Sequence, residues 1–186
     1  MKQDYRRILI DLSKTSKLKK SYWATEEEAK ILVDRIEQSK AHVYIESGTC
    51  HGFTSCWAAT TQILEVHTFD PAIREKLWNR SNLIELAPKI KFYNQKFEEG
   101  FPKCVENLSR IAPLFFFIDG NHSLGGVSKD FNILRSHLRP GDRLMFHDSI
   151  TEHNVNKFTG RIQREFPRWT RTDFITDRGI TEFQIV

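Results

Sequence analysis

The sequence predicts an α/β protein, doubly wound, with a mostly parallel seven-stranded sheet closed by an antiparallel C-terminal edge hairpin. Three observations predict it. Short β-branched and aromatic runs alternate five times with helix-like segments, the pattern of parallel strands joined by crossovers. The run Leu114-Phe115-Phe116-Phe117-Ile118 has no polar face, as a strand covered by helices on both sides requires. Two alternating segments flank Asp177-Arg178-Gly179, a hairpin signal.

In chain order, residues 1 to 20 carry seven Lys or Arg against two Asp, a balance of +5 that leaves −1 for the rest of a chain of net charge +4. Residues 1–24 are therefore read as a basic arm and a solvated start of the chain, able to meet nucleic acid, anionic lipid or an acidic substrate. Residues 25–186 form a single domain. Thr25 and Glu28 have the form of a capping box, and Ile31, Leu32 and Ile36 follow at helical spacing, which predicts a helix over 25–39. Strands are read at 42–46, 65–71, 89–93, 114–119 and 143–148. Helix-like segments follow them at 54–64, after Pro71, at 97–108, at 127–138 and at 155–166. Within 127–138, Lys129 onward is read as a helix with a charged solvated face that stops at Pro140-Gly141. His42 and His67 fall in strands and read as packed residues, and Trp57 as core.

Composition narrows the setting. A hydrophobic content of 39% with 14 Phe and 4 Trp fills one core. Three cysteines, none paired at two-residue spacing, point to a reducing compartment. With no long apolar run and no signal-peptide pattern, the expectation is a soluble, cytoplasmic protein without a membrane role.

Three groups of residues carry chemistry. In Ile45-Glu46-Ser47-Gly48-Thr49-Cys50-His51-Gly52 the glycines are spaced G-x-x-x-G, unlike the G-x-G-x-x-G turn that cradles a dinucleotide. Asp70 ends the second strand, where a carboxylate can accept both hydroxyls of a ribose or, more plainly, cap the turn that Pro71 begins. Asp119, His122, His147 and Asp148 fall at the ends of the fourth and fifth strands. Two carboxylates and two imidazoles at one rim can bind a divalent cation or perform acid–base work. The carboxylates favour Mg²⁺ or Mn²⁺, while the histidines also admit Zn²⁺ or Fe²⁺.

The order ESGTCHGFTS, FDP, FIDGNHSLGGVSKDF and LRPGDRLMFHDS resembles the class I S-adenosylmethionine-dependent methyltransferases, and within them a group of small, metal-associated O-methyltransferases. The resemblance spans roughly residues 25–165 and implies a Rossmann-like fold. It implies that Glu46, Gly48 and Gly52, with Thr49 and Phe53 of the same turn, line the methionine and sulfonium end of S-adenosyl-L-methionine. Asp70 then holds the ribose, and Gln95 or Lys96 lies near the adenine. Asp119 serves both cofactor and catalysis, His122 is the base, and Asp119 and Asp148, joined by His147, are the candidate ligands of Mg²⁺ or another divalent cation. Two positions depart from the pattern: His147 stands where some relatives carry a carboxylate, and Asp142 replaces a glycine in a turn that tolerates it.

The function expected from this resemblance is S-adenosylmethionine-dependent O-methylation of a hydroxylated small molecule, a sugar or a phenol. Two alternatives stand beside it. A nucleic-acid methyltransferase would use the basic arm, but the fourth strand ends in IDGN and lacks the [DN]-P-P-[YF] element of base amino-methylation, which disfavours nucleic acid. A non-catalytic methyltransferase-fold binding protein would keep the fold as an interaction module, and the presence of Glu46, Gly48, Gly52, Asp70 and Asp119 argues against it. Acceptor selectivity is placed in Tyr22, Trp23 and the loop 149–156, and the small chain leaves room for a homo-oligomer that encloses the site.

Overall fold

At the centre of the structure, a computed structural model, lies Leu114–Ile118 (β4), each of its side chains at most 5% exposed. The structure describes residues 4–15, 24–72, 74–108, 110 and 112–186. Tyr22 and Trp23 lie outside the described residues.

The other elements are Tyr5–Thr15 (α1), Glu26–Ser39 (α2), Val43–Ser47 (β1), Phe53–Ala59 (α3), Glu65–Phe69 (β2), Ile90–Tyr93 (β3), Phe97–Glu106 (α4), Leu124–Leu134 (α5), Arg143–His147 (β5), His153–Glu165 (α6), Thr170–Phe174 (β6) and Ile180–Gln184 (β7). The sheet order is β3-β2-β1-β4-β5-β7-β6. All pairs are parallel except β5–β7 and β6–β7, so the C-terminal hairpin supplies the antiparallel edge the sequence predicts.

Alternation within the strands builds two cores. Tyr44, Phe115, Phe117 and Met145 pack with α1, α2 and α3 on one face, whereas Ile45, Phe116, Ile118 and Phe146 meet Phe101, Phe131 and Phe158 of α4, α5 and α6 on the other. Burying such a side chain contributes roughly 1.5–3 kcal/mol, so the continuous apolar run of β4 serves both layers. The capping box at Thr25 forms as read: the Thr25 hydroxyl accepts from the Glu28 amide and the Glu28 carboxylate from the Thr25 amide. Trp57 and His67 are buried as expected.

Several expectations change. The basic arm is not simply solvated: α1 buries Leu9 completely and packs Tyr5, Ile8 and Leu12 against the first core, while Arg6 pairs with Glu37 at 2.5 Å. The segment after Pro71 forms two short 3₁₀ turns, Leu77–Asn79 and Ile84–Lys89, the second containing Pro88, which removes a backbone donor. α5 starts earlier than read, at Leu124, because the Ser123 side chain accepts from the Gly126 amide. It also ends before Pro140-Gly141, at Leu134, followed by a 3₁₀ turn. His42 is exposed. Asp142, read as a tolerated turn substitution, is 1% exposed, pairs with Arg110 at 2.5 Å and accepts the Leu114 and Arg139 amides. It ties the entry of β4 to the entry of β5.

Because β1 lies between β2 and β4, the chain winds outward in both directions from it and leaves a crevice at the carboxyl ends of β1 and β4. Gly48 marks that point. Its φ is +96°, and a Cβ there would sit 2.2 Å from the Asp119 carbonyl oxygen. Only glycine lets the two strand ends approach so closely.

Candidate active site

A cleft of about 1000 Å³ opens at this crevice. Its floor is Ser47, Gly48 and Gly120, one flank carries Asp70, Lys96 and Phe97, and the other carries Asp119, His122, Asp148 and Arg178. The strand ends that the sequence places at one rim therefore do meet.

Asp70 sits where β2 surfaces. Its Oδ2 accepts the Cys50 amide and its Oδ1 the Ala72 amide, both at 2.7 Å. The turn-capping role and the cleft-lining role coexist, because each carboxylate oxygen keeps a second lone pair. The Cys50 loop is held further by Lys76, whose Nζ donates to the Cys50 carbonyl at 2.7 Å.

Five residues expected at the cofactor do not line the cleft. Glu46 is 0% exposed and points into the first core, where its carboxylate accepts hydroxyls from Tyr44 at 3.0 Å, from Thr68 at 2.6 Å, and from Thr54 and Ser55. Burial raises its pKa against those four donors. Thr49 shares a hydrogen bond with Thr68 at 2.6 Å, Gly52 faces the Trp78 ring at the start of α3, and Phe53 packs edge-on to Trp57. The Gln95 amide faces Gly100. These residues shape the turn from behind, and Gly48, Asp70 and Lys96 remain on the cleft surface.

At the other flank three ionisable groups converge. The Nε2 of His122 lies 3.4 Å from Asp119 Oδ1 and 3.4 Å from Asp148 Oδ2. Asp148 is held at φ 56°, a left-handed conformation that Asp tolerates better than bulkier residues, and this turns its carboxylate toward the cleft. The next two amides, of Ser149 and Ile150, are clamped by the Gly179 and Arg178 carbonyls of the hairpin turn. Asp119, His122 and Asp148 each offer a ligand atom, and these lie within 4.8 Å of one another.

His147 is placed differently from expectation. It is 1% exposed beneath the cleft, its Nδ1 3.0 Å from Asp119 Oδ1 and 3.4 Å from Asp148 Oδ2, its Nε2 3.2 Å from Glu28 Oε2. With carboxylates facing both nitrogens it supports Asp119 from behind and does not join the converging ligand atoms. Despite burial, Asp119 raises the His147 pKa well above its ordinary value. The two histidines in turn hold the Asp119 carboxyl far below its usual range, again against burial.

Glu28, read in the sequence only as a capping residue, anchors this array. Oε1 accepts the Thr176 hydroxyl at 2.7 Å and the Arg178 amide at 3.3 Å, while Oε2 accepts the Thr25 amide at 2.7 Å. Burial opposes its ionisation, yet His147 and these donors bring its pKa down to about 2. Asp130 also went unread. It lines the cleft floor, accepts the Ser47 hydroxyl at 2.6 Å, and is pushed up to about 6 by burial. Strand parity is the signal that finds it, since Ser47 must face α5 when Glu46 faces the opposite layer.

This sheet order, with its cleft at β1 and β4, is the class I S-adenosylmethionine-dependent methyltransferase architecture. An O-methyltransferase from Bacillus cereus in complex with SAH superposes with a TM-score of 0.71 over 99% of this chain and 92% of its own, at 16% identity. The O-methyltransferase TomG from Streptomyces achromogenes, involved in tomaymycin synthesis and solved with SAM, gives 0.73 over 100% and 91%, at 15% identity. A methyltransferase from Geobacter sulfurreducens gives 0.69 over 96% and 89%, at 11% identity. Among curated proteins no sequence match is found. A family model described as a methyltransferase domain matches residues 45–149, more than half of the chain, and the protein belongs to that family. No helix among the described residues is long and apolar enough to cross a membrane.

Proposed function

We propose that the protein moves a methyl group from S-adenosylmethionine to a hydroxyl oxygen of a small molecule, a sugar or a phenol. The observation that carries this reading is that a single cleft is lined on one flank by Asp70 and on the other by Asp119, His122 and Asp148. Support for an oxygen acceptor comes from two of the similar structures, which are described as O-methyltransferases with SAH or SAM.

In this reading the free lone pairs of Asp70 accept the ribose hydroxyls, and Gly48 and Gly120 let the cofactor lie against bare backbone. Bound there, S-adenosylmethionine supplies an electrophilic methyl group on a sulfonium. The acceptor hydroxyl is a poor nucleophile at neutral pH, so the opposite flank must align it and take its proton. His122 is the residue at that place. The close contact and charge of Asp119 beside it raise its pKa above the ordinary imidazole value, against burial.

The residues fit a divalent cation. His122 Nε2 is a buried nitrogen with no hydrogen-bond partner, aimed between two carboxylates. Asp119 and Asp148 would hold the ion beside His122, and it would lower the pKa of the acceptor hydroxyl while the imidazole takes the proton. His122→Ala is expected to lower turnover by about 10²–10⁴-fold while leaving the affinity for S-adenosylhomocysteine unchanged. A panel of sugars and phenols assayed with radiolabelled cofactor reads the first, and calorimetry the second. Undiminished turnover in the variant would remove His122 from the mechanism.

A further inference from the structure

The geometry points to Asp130 of α5 as the residue that reads the base of S-adenosylmethionine, its carboxyl pairing with the N1 and N6 edge of the adenine. This deepens the cofactor reading given above and rests on it.

Neither residue expected near the adenine can make that pairing. The Gln95 amide faces Gly100, and Lys96 lines the cleft with an ammonium that only donates. Apart from Asp70, Asp119 and the acids after β5, the carboxyls lining the cleft are Glu98 and Asp130. Lys129 pairs with Glu98 at 2.8 Å and holds its carboxyl below the usual range, so Glu98 can only accept. Asp130 differs. Its Oδ2 accepts the Ser47 hydroxyl at 2.6 Å, and no other side chain among the described residues bonds that carboxyl. Gly120 opens the way to it: a Cβ there would lie 2.7 Å from the Ser47 hydroxyl and 3.5 Å from Asp130 Oδ2, so a larger residue would cover the pair.

The adenine edge presents an acceptor at N1 beside a donor at N6. A neutral carboxyl matches both, donating through its O–H and accepting with its other oxygen. Burial pushes the Asp130 carboxyl up to about 6, so it keeps the proton that N1 requires to a higher pH than Glu98 does. The groups that face it are Ser47 from β1, Glu98 from α4 and Lys129 from α5; Glu98 favours the neutral carboxyl, and Lys129 and the Ser47 hydroxyl favour the ionised one. A base stacked over the carboxyl excludes water and favours the neutral form further.

The test is calorimetry of the full chain with S-adenosylhomocysteine and its 1-deaza analogue, in which a C–H replaces N1, at pH 6 and pH 8. The wild type should bind S-adenosylhomocysteine about 10-fold or more tightly than the analogue at pH 6. Because the neutral carboxyl makes the pairing, that preference should fall as pH rises through about 6 to pH 8. Asp130→Ala should bind the two ligands alike. Asp130→Asn, whose amide offers the same donor and acceptor with no proton to lose, should show the preference equally at both pH values. That loss of pH dependence is a readout a structural role would not move, and the variant serves should Asp130→Ala unfold. Equal binding of the two ligands by the wild type at pH 6, a preference undiminished at pH 8, its survival in folded Asp130→Ala or its loss in folded Asp130→Asn would overturn the inference. S-adenosylhomocysteine binding without base preference would overturn this inference alone, whereas no binding by the folded wild type would sink the cofactor reading of the cleft.

Discussion

Asp130 and Gly48 show how single residues carry the cleft. Asp130 is a buried carboxyl whose pKa in the fold, about 6, lies above its ordinary value of 3.8. The sign follows from linkage: the fold prefers the neutral form, so this group's contribution is fully present below about 3.8 and is lost as pH rises through about 6. Asp130→Asn, which keeps an acceptor for the Ser47 hydroxyl, should therefore raise the melting temperature at pH 8 and change it little at pH 3.5, as paired thermal melts would show. Gly48→Ala should cost about 2–6 kcal/mol, since it combines a strained positive φ with a methyl group driven against the Asp119 carbonyl. Denaturant unfolding checks it, and a loss under about 1 kcal/mol would mean that β1 and β4 can separate at their ends. The rim acids Asp70, Asp119 and Asp148 were legible because each ends an apolar run. Glu46 was misplaced for a reason equally visible, since strand alternation puts it on the face of Tyr44, turned toward the first core.

Among elements, the N-terminus of α2 is where fold and site are joined. One carboxylate, Glu28, caps the helix, receives the hairpin turn that carries Arg178, and pairs with the imidazole behind Asp119. Its pKa falls from the usual 4.5 to about 2, so its contribution to stability is present above about 4.5 and disappears as pH falls toward 2. Glu28→Gln should flatten the acid limb of the stability profile in that window, measured by urea unfolding from pH 6 to pH 2.5. An unaltered slope would show that the array does not couple to folding. The capping box was readable from four adjacent residues, but the pairing with His147 joins positions far apart in the chain and leaves no local pattern. α1 was missed for another reason. Its charge drew the eye, although Tyr5, Ile8, Leu9 and Leu12 recur at helical spacing and form its buried stripe. The connection from β2 to β3 was read as a helix-like segment; it is two 3₁₀ turns, and Pro88, which lacks a backbone donor, lies in the second of them.

For the whole molecule, the strand order decides what the site can be. Five parallel strands and an antiparallel hairpin were recoverable from alternation and turn residues alone, and they bring Asp70 and Asp119 to opposite flanks of one cleft. No motif names the acceptor: Glu152, in the loop 149–156, and Arg178, in a turn legible only as a hairpin, line the cleft without any acceptor-binding pattern. The central claim is that this cleft binds S-adenosylmethionine through Asp70. Titration calorimetry of the protein with S-adenosylmethionine and S-adenosylhomocysteine, beside Asp70→Ala, tests it most directly. The account predicts micromolar, one-to-one binding of both, weakened by about 10-fold or more in the variant, as expected when a charge-assisted pair of hydrogen bonds is removed. No binding by the folded wild-type protein, or equal binding by the variant, would contradict it.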